Sequence, residues 1–295
     1  MPFLSRLISL SRIKLNAIPH LILTSTRYSM EVSLVTSNQK SGSDFIEEAL
    51  RIVEEGAKRK IPLRLMGGFA IRLHCQSGER LYELLDRKPA YDLDFVTYGK
   101  YRPVMKKFFA ELGYAPMVSM ALMFGTGKNR AVYKDEKHNR SVDIFYDRLE
   151  MCHVLEFKNR LELDNPTITL ADLLLQKVQI CKINEKDIKD IIILLREHQV
   201  GETEKETVNM GYIAKLLAKD WGFWYSTILN LKTTKEFLSG YKSLSDDDRN
   251  DVEAKINRII KAMEDEPKSV QWKLRAKIGA SKKWYADVEE LVRYS

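Results

Sequence analysis

The sequence predicts an α+β protein, with a mixed sheet and flanking helices in its first half and a helical C-terminal region after it. Three observations predict this. Between residues 61 and 146, short apolar runs with two-residue alternation are interleaved with helix-period segments. Turn signals at 125–129 and 134–140 divide the later part of that stretch into antiparallel strands. After Pro166 the strand patterns stop and apolar residues recur three and four apart.

Residues 43–58 read as an amphipathic helix, with Ser43 as N-cap and Phe45, Leu50 and Val53 on its apolar side. A short strand follows at 61–66, then a helix from Phe69 to about Leu85. A strand at 91–98 comes next, and a helix at 102–112 is closed by Gly113. Residues 117–146 supply the antiparallel strands. Thr169, with Asp172 three residues on, starts a helix by a near capping box. Its apolar stripe is Leu170, Leu173, Leu174, Val178 and Cys181. Lys177 falls within that stripe, so it either snorkels along apolar surface or points into a cavity holding an anion. Asp187 and Asp190 share one side of the next helix. There they either form an exposed turn that complements the macrodipole or orient Lys177, and the exposed turn is the reading preferred. Ile191 to Leu195 is core. Residues 200–207 read as a polar, charged linker and a candidate boundary. Beyond Gly211 the chain is helical, and Trp221, Phe223, Trp224 and Tyr225 pack as a core rather than a stacking platform. The domain organisation expected is a basic tail over 1–40, a mixed domain over 41–165 and the helical region over 166–295.

At 295 residues and 44% hydrophobic content, the chain can bury a sizeable core. No apolar run approaches a membrane span in length. Cys75, Cys152 and Cys181 are scattered and odd in number, which fits a reduced, cytoplasmic protein without structural disulfides or a zinc site. The net charge of +7 resides in two patches. Arg6, Arg12, Lys14 and Arg27 lie in residues 1–30 with no acid. Lys268, Lys273, Arg275, Lys277, Lys282 and Lys283 lie in 268–283, again with no acid, so the remainder is net acidic. The first patch is read as an organellar targeting segment, a disordered tail or an upstream start ahead of Met30. The second, flanked by Trp272 and Trp284, is either a nucleic-acid contact or a solvated helix face.

The densest chemical signal is Gly67-Gly68, then Asp92-Leu93-Asp94, then Asp143 in Ser141-Val142-Asp143-Ile144-Phe145. Strand alternation puts Asp92 and Asp94 on one face, with Leu93 and Phe95 toward the core. Neighbouring carboxylates repel unless a cation separates them, and oxygen-only ligands suit Mg²⁺ shared with substrate phosphates. Asp143 would add a third ligand from a neighbouring strand, giving a metal site for phosphoryl or nucleotidyl transfer. The strand, glycine pair and helix bring backbone N–H groups close to a phosphate. Taken singly, Gly-Gly is also a plain tight turn and Asp-x-Asp also solvated surface charge.

This ordered set resembles the nucleotidyltransferase superfamily related to DNA polymerase β, and within it the AbiEii/MenT-type nucleotidyltransferase toxins. The resemblance covers about residues 60–197 and extends to Arg87-Lys88 ahead of Asp92, to Lys177, and to Asp187 and Asp190. The gap from Gly68 to Asp92 is longer than in compact members, which bears on Arg87 and Lys88 above all. The resemblance implies a nucleotidyltransferase fold with its catalytic domain over 41–165. It implies Asp92, Asp94 and Asp143 as catalytic and metal-binding residues, with two Mg²⁺ ions and an NTP substrate. Gly67, Gly68, Lys177, Arg87 and Lys88 would bind nucleotide, supported by Asp187 and Asp190. Transfer of NMP to an acceptor hydroxyl would follow, at the tRNA 3′ end as in toxin–antitoxin or abortive-infection systems, with a cognate antitoxin as partner. Lys273, Arg275, Lys277, Lys282 and Lys283 would then contact RNA. Two alternatives stand beside this: nucleotidylation of a protein or small molecule, and a catalytically silent RNA- or partner-binding module.

Overall fold

The computed structural model describes residues 44–88, 92–117 and 129–287. All of them belong to one compact unit, Gly42–Ser295. The expectations for the basic tail, the Met30 start, the Ser43 cap and most of the 125–129 turn lie outside the described residues.

The first helix, α1 (44–58), buries Ala49, Ile52 and Val53 and leaves Leu50 facing solvent, contrary to the predicted stripe. Leu50 lies one residue on from Ala49, about 100° around the helix, and so falls off the buried row. The strands β1 (Arg64–Met66), β2 (Asp92–Thr97), β3 (Ala115–Met117), β4 (Arg130–Asp135) and β5 (Arg140–Tyr146) form one sheet in the order β1-β2-β5-β4-β3. Only β2 and β5 run parallel; the other pairs are antiparallel, so the sheet is mixed. Leu93, Phe95, Val142 and Ile144 are fully buried, as alternation predicts for strands with one face on a core.

The helix expected from Phe69 to Leu85 is two helices, α2 (Gly67–His74) and α3 (Glu79–Leu84). A turn through Gln76–Gly78 breaks them apart, consistent with the polar Gln-Ser-Gly run. Helix α4 (Arg102–Glu111) ends as expected before Gly113, whose φ of +92° suits only glycine at low cost. A small hairpin follows, β6 (Arg148–Glu150) with β7 (Val154–Glu156).

The second half is helical: α5 (Leu170–Val178), α6 (Glu185–Glu197), α7 (Met210–Leu217), α8 (Trp221–Gly240), α9 (Asp246–Asp265) and α10 (Val270–Ile278). Thr169 caps α5 by accepting the Asp172 N–H, and Asn184 caps α6 through the Asp187 N–H. Helix α5 stops before Cys181, which therefore leaves the predicted stripe. Ile191 through Leu195 are buried, as expected. The stretch read as a linker is instead anchored. Strands β8 (Gln199–Gly201) and β9 (Thr207–Asn209) pair in parallel across it, with Val200 and Val208 buried. Two apolar anchors in a polar run were enough to dock it, and composition alone hides them.

The two halves are packed on each other. Leu65 N–H donates to Pro166 O at 3.0 Å and Ile168 N–H to Leu65 O at 3.0 Å, so the chain entering α5 runs alongside β1. Helix α2 rests on α5 and α6, and a continuous apolar core runs from the sheet into these helices. That packing delivers the N-terminus of α2 and the last turn of α5 to the same end of β1 and β2. Among the described residues, no helix is long and apolar enough to cross a membrane.

Candidate active site

The sheet register assembles the carboxylates. Met66 pairs with Asp94, Asp94 with Asp143 and Asp143 with Val132, forming one rung across β1, β2, β5 and β4. Side chains on one rung share a face, so Asp94 and Asp143 stand side by side, and Asp92 lies two residues away on the same face of β2. Asp143 is buried, while Asp92 and Asp94 are partly buried.

Electrostatics follow from that crowding. Withdrawal from water, followed by the charges of Asp143 and then Asp92, pushes the Asp94 carboxyl up to about 7. Two cations act in the opposite direction, Lys177 and Arg130. Arg130 lies on β4 two residues before Val132, hence on the Asp143 face, and its guanidinium donates to Asp143 Oδ2 at 2.5 Å. Sequence reasoning missed Arg130. The available signal was alternation along Arg130-Ala131-Val132, which places an arginine beside Asp143 once the β4–β5 hairpin is assumed.

The glycine turn closes on the same rung. Gly67 has φ +75°, and a β-carbon built there would lie 2.6 Å from Asp94 Oδ2. Glycine is therefore required twice, for backbone conformation and for close approach of the carboxylate. The Gly67 N–H, expected to face a phosphate, donates to Gln176 Oε1 at 2.9 Å. Gln176 was also missed; it ties the turn to α5 immediately before Lys177.

Lys177 is buried, and its Nζ sits 2.8 Å from both Asp187 Oδ1 and Asp190 Oδ2. Burial disfavours its charge, but Asp190 and Asp187 outweigh that and raise its pKa. The expectation of Asp187 and Asp190 as an exposed helix start is corrected: both are buried and orient Lys177. Tertiary packing of α6 against α5 turned that side of the helix inward. Arg87 is buried too, forking onto Asp190 through Nε at 2.6 Å and Nη2 at 3.0 Å. Its guanidinium is thus committed to α6. Lys88 is exposed and pairs with Asp86 at 2.5 Å.

In the C-terminal patch, Lys273, Lys277, Lys282 and Lys283 are exposed, with Lys283 bonded to Asp287. Arg275 differs: its guanidinium lies 4.6 Å from the Trp221 ring centre and donates to the carbonyls of Gly279 at 2.6 Å and Lys282 at 2.8 Å. Arg275 holds the segment after α10 in place. Trp221 and Phe223 are buried, and Trp221 stacks on Tyr225 at 4.9 Å, which makes the cluster a core as expected.

The donor set of Asp92, Asp94 and Asp143 is oxygen alone, the chemistry of a hard divalent cation. Its mutual repulsion, visible in Asp94, is what such a cation relieves. Among the described residues, however, no group of three or more His, Cys, Asp or Glu is placed so that it could hold a metal ion as the side chains stand. Arg130 on Asp143 supplies part of the balancing positive charge.

No protein-family model matches the chain, and no curated protein matches it. Among solved structures, the solution structure of the antibiotic-resistance factor ANT(2'')-Ia is similar at a TM-score of 0.32 and 11% identity, covering 76% of this chain and 96% of that one. A likeness of that size assigns no activity to this chain.

Proposed function

We propose that this chain is a Mg²⁺-dependent nucleotidyltransferase that moves a nucleoside monophosphate from an NTP to an acceptor hydroxyl. The observation supporting this reading is the rung on which Asp94 stands beside Asp143, with Gly67 pressed against Asp94. In this reading the acceptor oxygen bonds to the α-phosphorus, the bond to the β-phosphate oxygen breaks, and pyrophosphate leaves. Asp143 takes the acceptor proton. Asp92 and Asp94 would hold Mg²⁺ together with Asp143, and the ion would supply charge stabilisation for the attacking and leaving oxygens. Lys177, kept protonated by Asp187 and Asp190, adds a fixed positive potential toward Asp94. Positioning and electrostatics of this kind are the main levers for phosphoryl chemistry. The family resemblance extends the proposal to a tRNA 3′ end as acceptor, with the exposed lysines of the C-terminal patch meeting its backbone.

A catalytically silent RNA- or partner-binding module is the second reading. The Arg130–Asp143 ion pair favours it, because that pairing neutralises one carboxylate without a metal.

The test incubates the protein and its Asp92→Ala variant with Mg²⁺, each α-labelled NTP and total tRNA. Label moved to RNA by the parent alone is the expected result. Label on protein selects protein nucleotidylation instead. No transfer together with no NTP binding selects the silent module.

A further inference from the structure

Two cations act on Asp94, and they are held differently. Lys177 is anchored by two carboxylates from α6 and is buried. Arg130 is anchored by Asp143, a member of the carboxylate cluster itself. Its side chain keeps 27% of its surface exposed, against 9% for Lys177. Its Nε is buried with no hydrogen-bond partner, so the fork is incompletely satisfied where it rests. The Phe145 ring, 5.6 Å away, lies along the guanidinium and steadies it.

We propose that Arg130 is a polyphosphate-binding residue, stored on Asp143 in the ligand-free chain and displaced from it when a divalent cation and a polyphosphate arrive together. The inference rests on the nucleotidyl-transfer reading and names how that site would load.

The physical argument is an exchange of partners. A cation arriving alone must compete with the guanidinium for Asp143 Oδ2, and so binds weakly. A polyphosphate arriving alone meets the negative charge of Asp92, Asp94 and Asp143. Arriving together, the cation takes the carboxylate and the phosphate takes the guanidinium, so neither charge is left unpaired. A planar five-donor fork suits phosphate oxygens bidentately, and the unsatisfied Nε adds a donor there. The two ligands therefore help each other bind. Two of the three phosphate cations expected from the sequence are already committed, Arg87 to Asp190 and Lys177 to Asp187 and Asp190, and the third, Lys88, is an exposed surface residue beside Asp86.

The experiment measures Mn²⁺ binding by paramagnetic resonance and Mg²⁺–tripolyphosphate binding by calorimetry. It uses the full chain and its Arg130→Gln, Arg130→Lys and Asp94→Asn variants. Opposite signs are expected for Arg130→Gln: Mn²⁺ alone binds about tenfold tighter, and Mg²⁺–tripolyphosphate on the order of 10–100-fold weaker. Arg130→Lys keeps the charge without the fork, so its Mn²⁺ affinity stays near the parent's while tripolyphosphate binding falls. If both affinities are unchanged in Arg130→Gln, or fall together in a variant that melts like the parent, Arg130 is structural and the proposal is wrong. Should Arg130→Gln fail to fold, unchanged tripolyphosphate binding in Arg130→Lys overturns it equally. A parent that binds neither probe, and matches Asp94→Asn in this, overturns the nucleotidyl-transfer reading and this inference with it.

Discussion

Gly67 and Asp94 approach so closely that no side chain fits between them: a β-carbon on Gly67 would stand 2.6 Å from Asp94 Oδ2. This approach joins the start of α2 to the carboxylate rung and gives the first prediction. Gly67→Ala is expected to cost about 1–2 kcal/mol from positive φ alone. By displacing Asp94 it should also lower nucleotidyl transfer on the order of 100-fold. Gly113→Ala is the control, since Gly113 has φ +92° with open space where its β-carbon would stand. It should lose stability but keep transfer. Melting curves and transfer rates on both variants check this.

Lys177, Asp187, Asp190 and Arg87 form one buried charge network. Lys177→Met removes one charge, takes from Asp187 its ion pair with Lys177 and leaves Asp190 with Arg87. Breaking a buried pair from one side is expected to destabilise on the order of 3–5 kcal/mol. Adding Asp187→Asn should recover part of the loss, because one uncompensated carboxylate is then gone. Urea unfolding of parent, single and double variants measures both effects.

Asp94 predicts an unusual pH dependence. Its carboxyl titrates near 7 in the folded chain against an ordinary value of 3.8. Between those values the folded state binds more protons than the unfolded state, so this group makes stability fall as pH rises. Asp94→Asn should therefore melt higher than the parent at pH 8 and close to it at pH 4. Mg²⁺ at pH 8 should raise the parent's melting temperature and leave that of Asp94→Asn unchanged.

The C-terminal patch separates into binding and structural residues. Lys273→Glu with Lys277→Glu and Lys282→Glu should weaken tRNA binding and flatten its salt dependence, by about one unit of slope for each phosphate no longer neutralised. Arg275→Ala should instead lower the melting temperature, because its guanidinium pins the chain after α10 to Trp221. Filter binding across a salt series distinguishes them. An unchanged slope in the lysine variant removes this face as the RNA-binding surface.

Much of this was legible in the chain itself. The two-residue alternation around Asp92, Asp94 and Asp143 set their faces, and the interleaved periods set the α+β class, because both depend on neighbours a few residues apart. The same holds for Thr169 as a cap and for Lys177 inside an apolar stripe. Only the tertiary structure decided that β2 and β5 are parallel neighbours in the register that sets Asp94 beside Asp143. It alone decided that Asp187 and Asp190 turn inward to Lys177, that Arg87 answers Asp190, and that Val200 and Val208 dock a polar stretch. The physical reason is one of range. Period and turn chemistry are local, whereas the partner of a buried charge depends on which opposite charge the packed chain brings within about 3 Å of it. Arg130 and Gln176 carry no local mark of their roles, and each takes its role from a residue on another element.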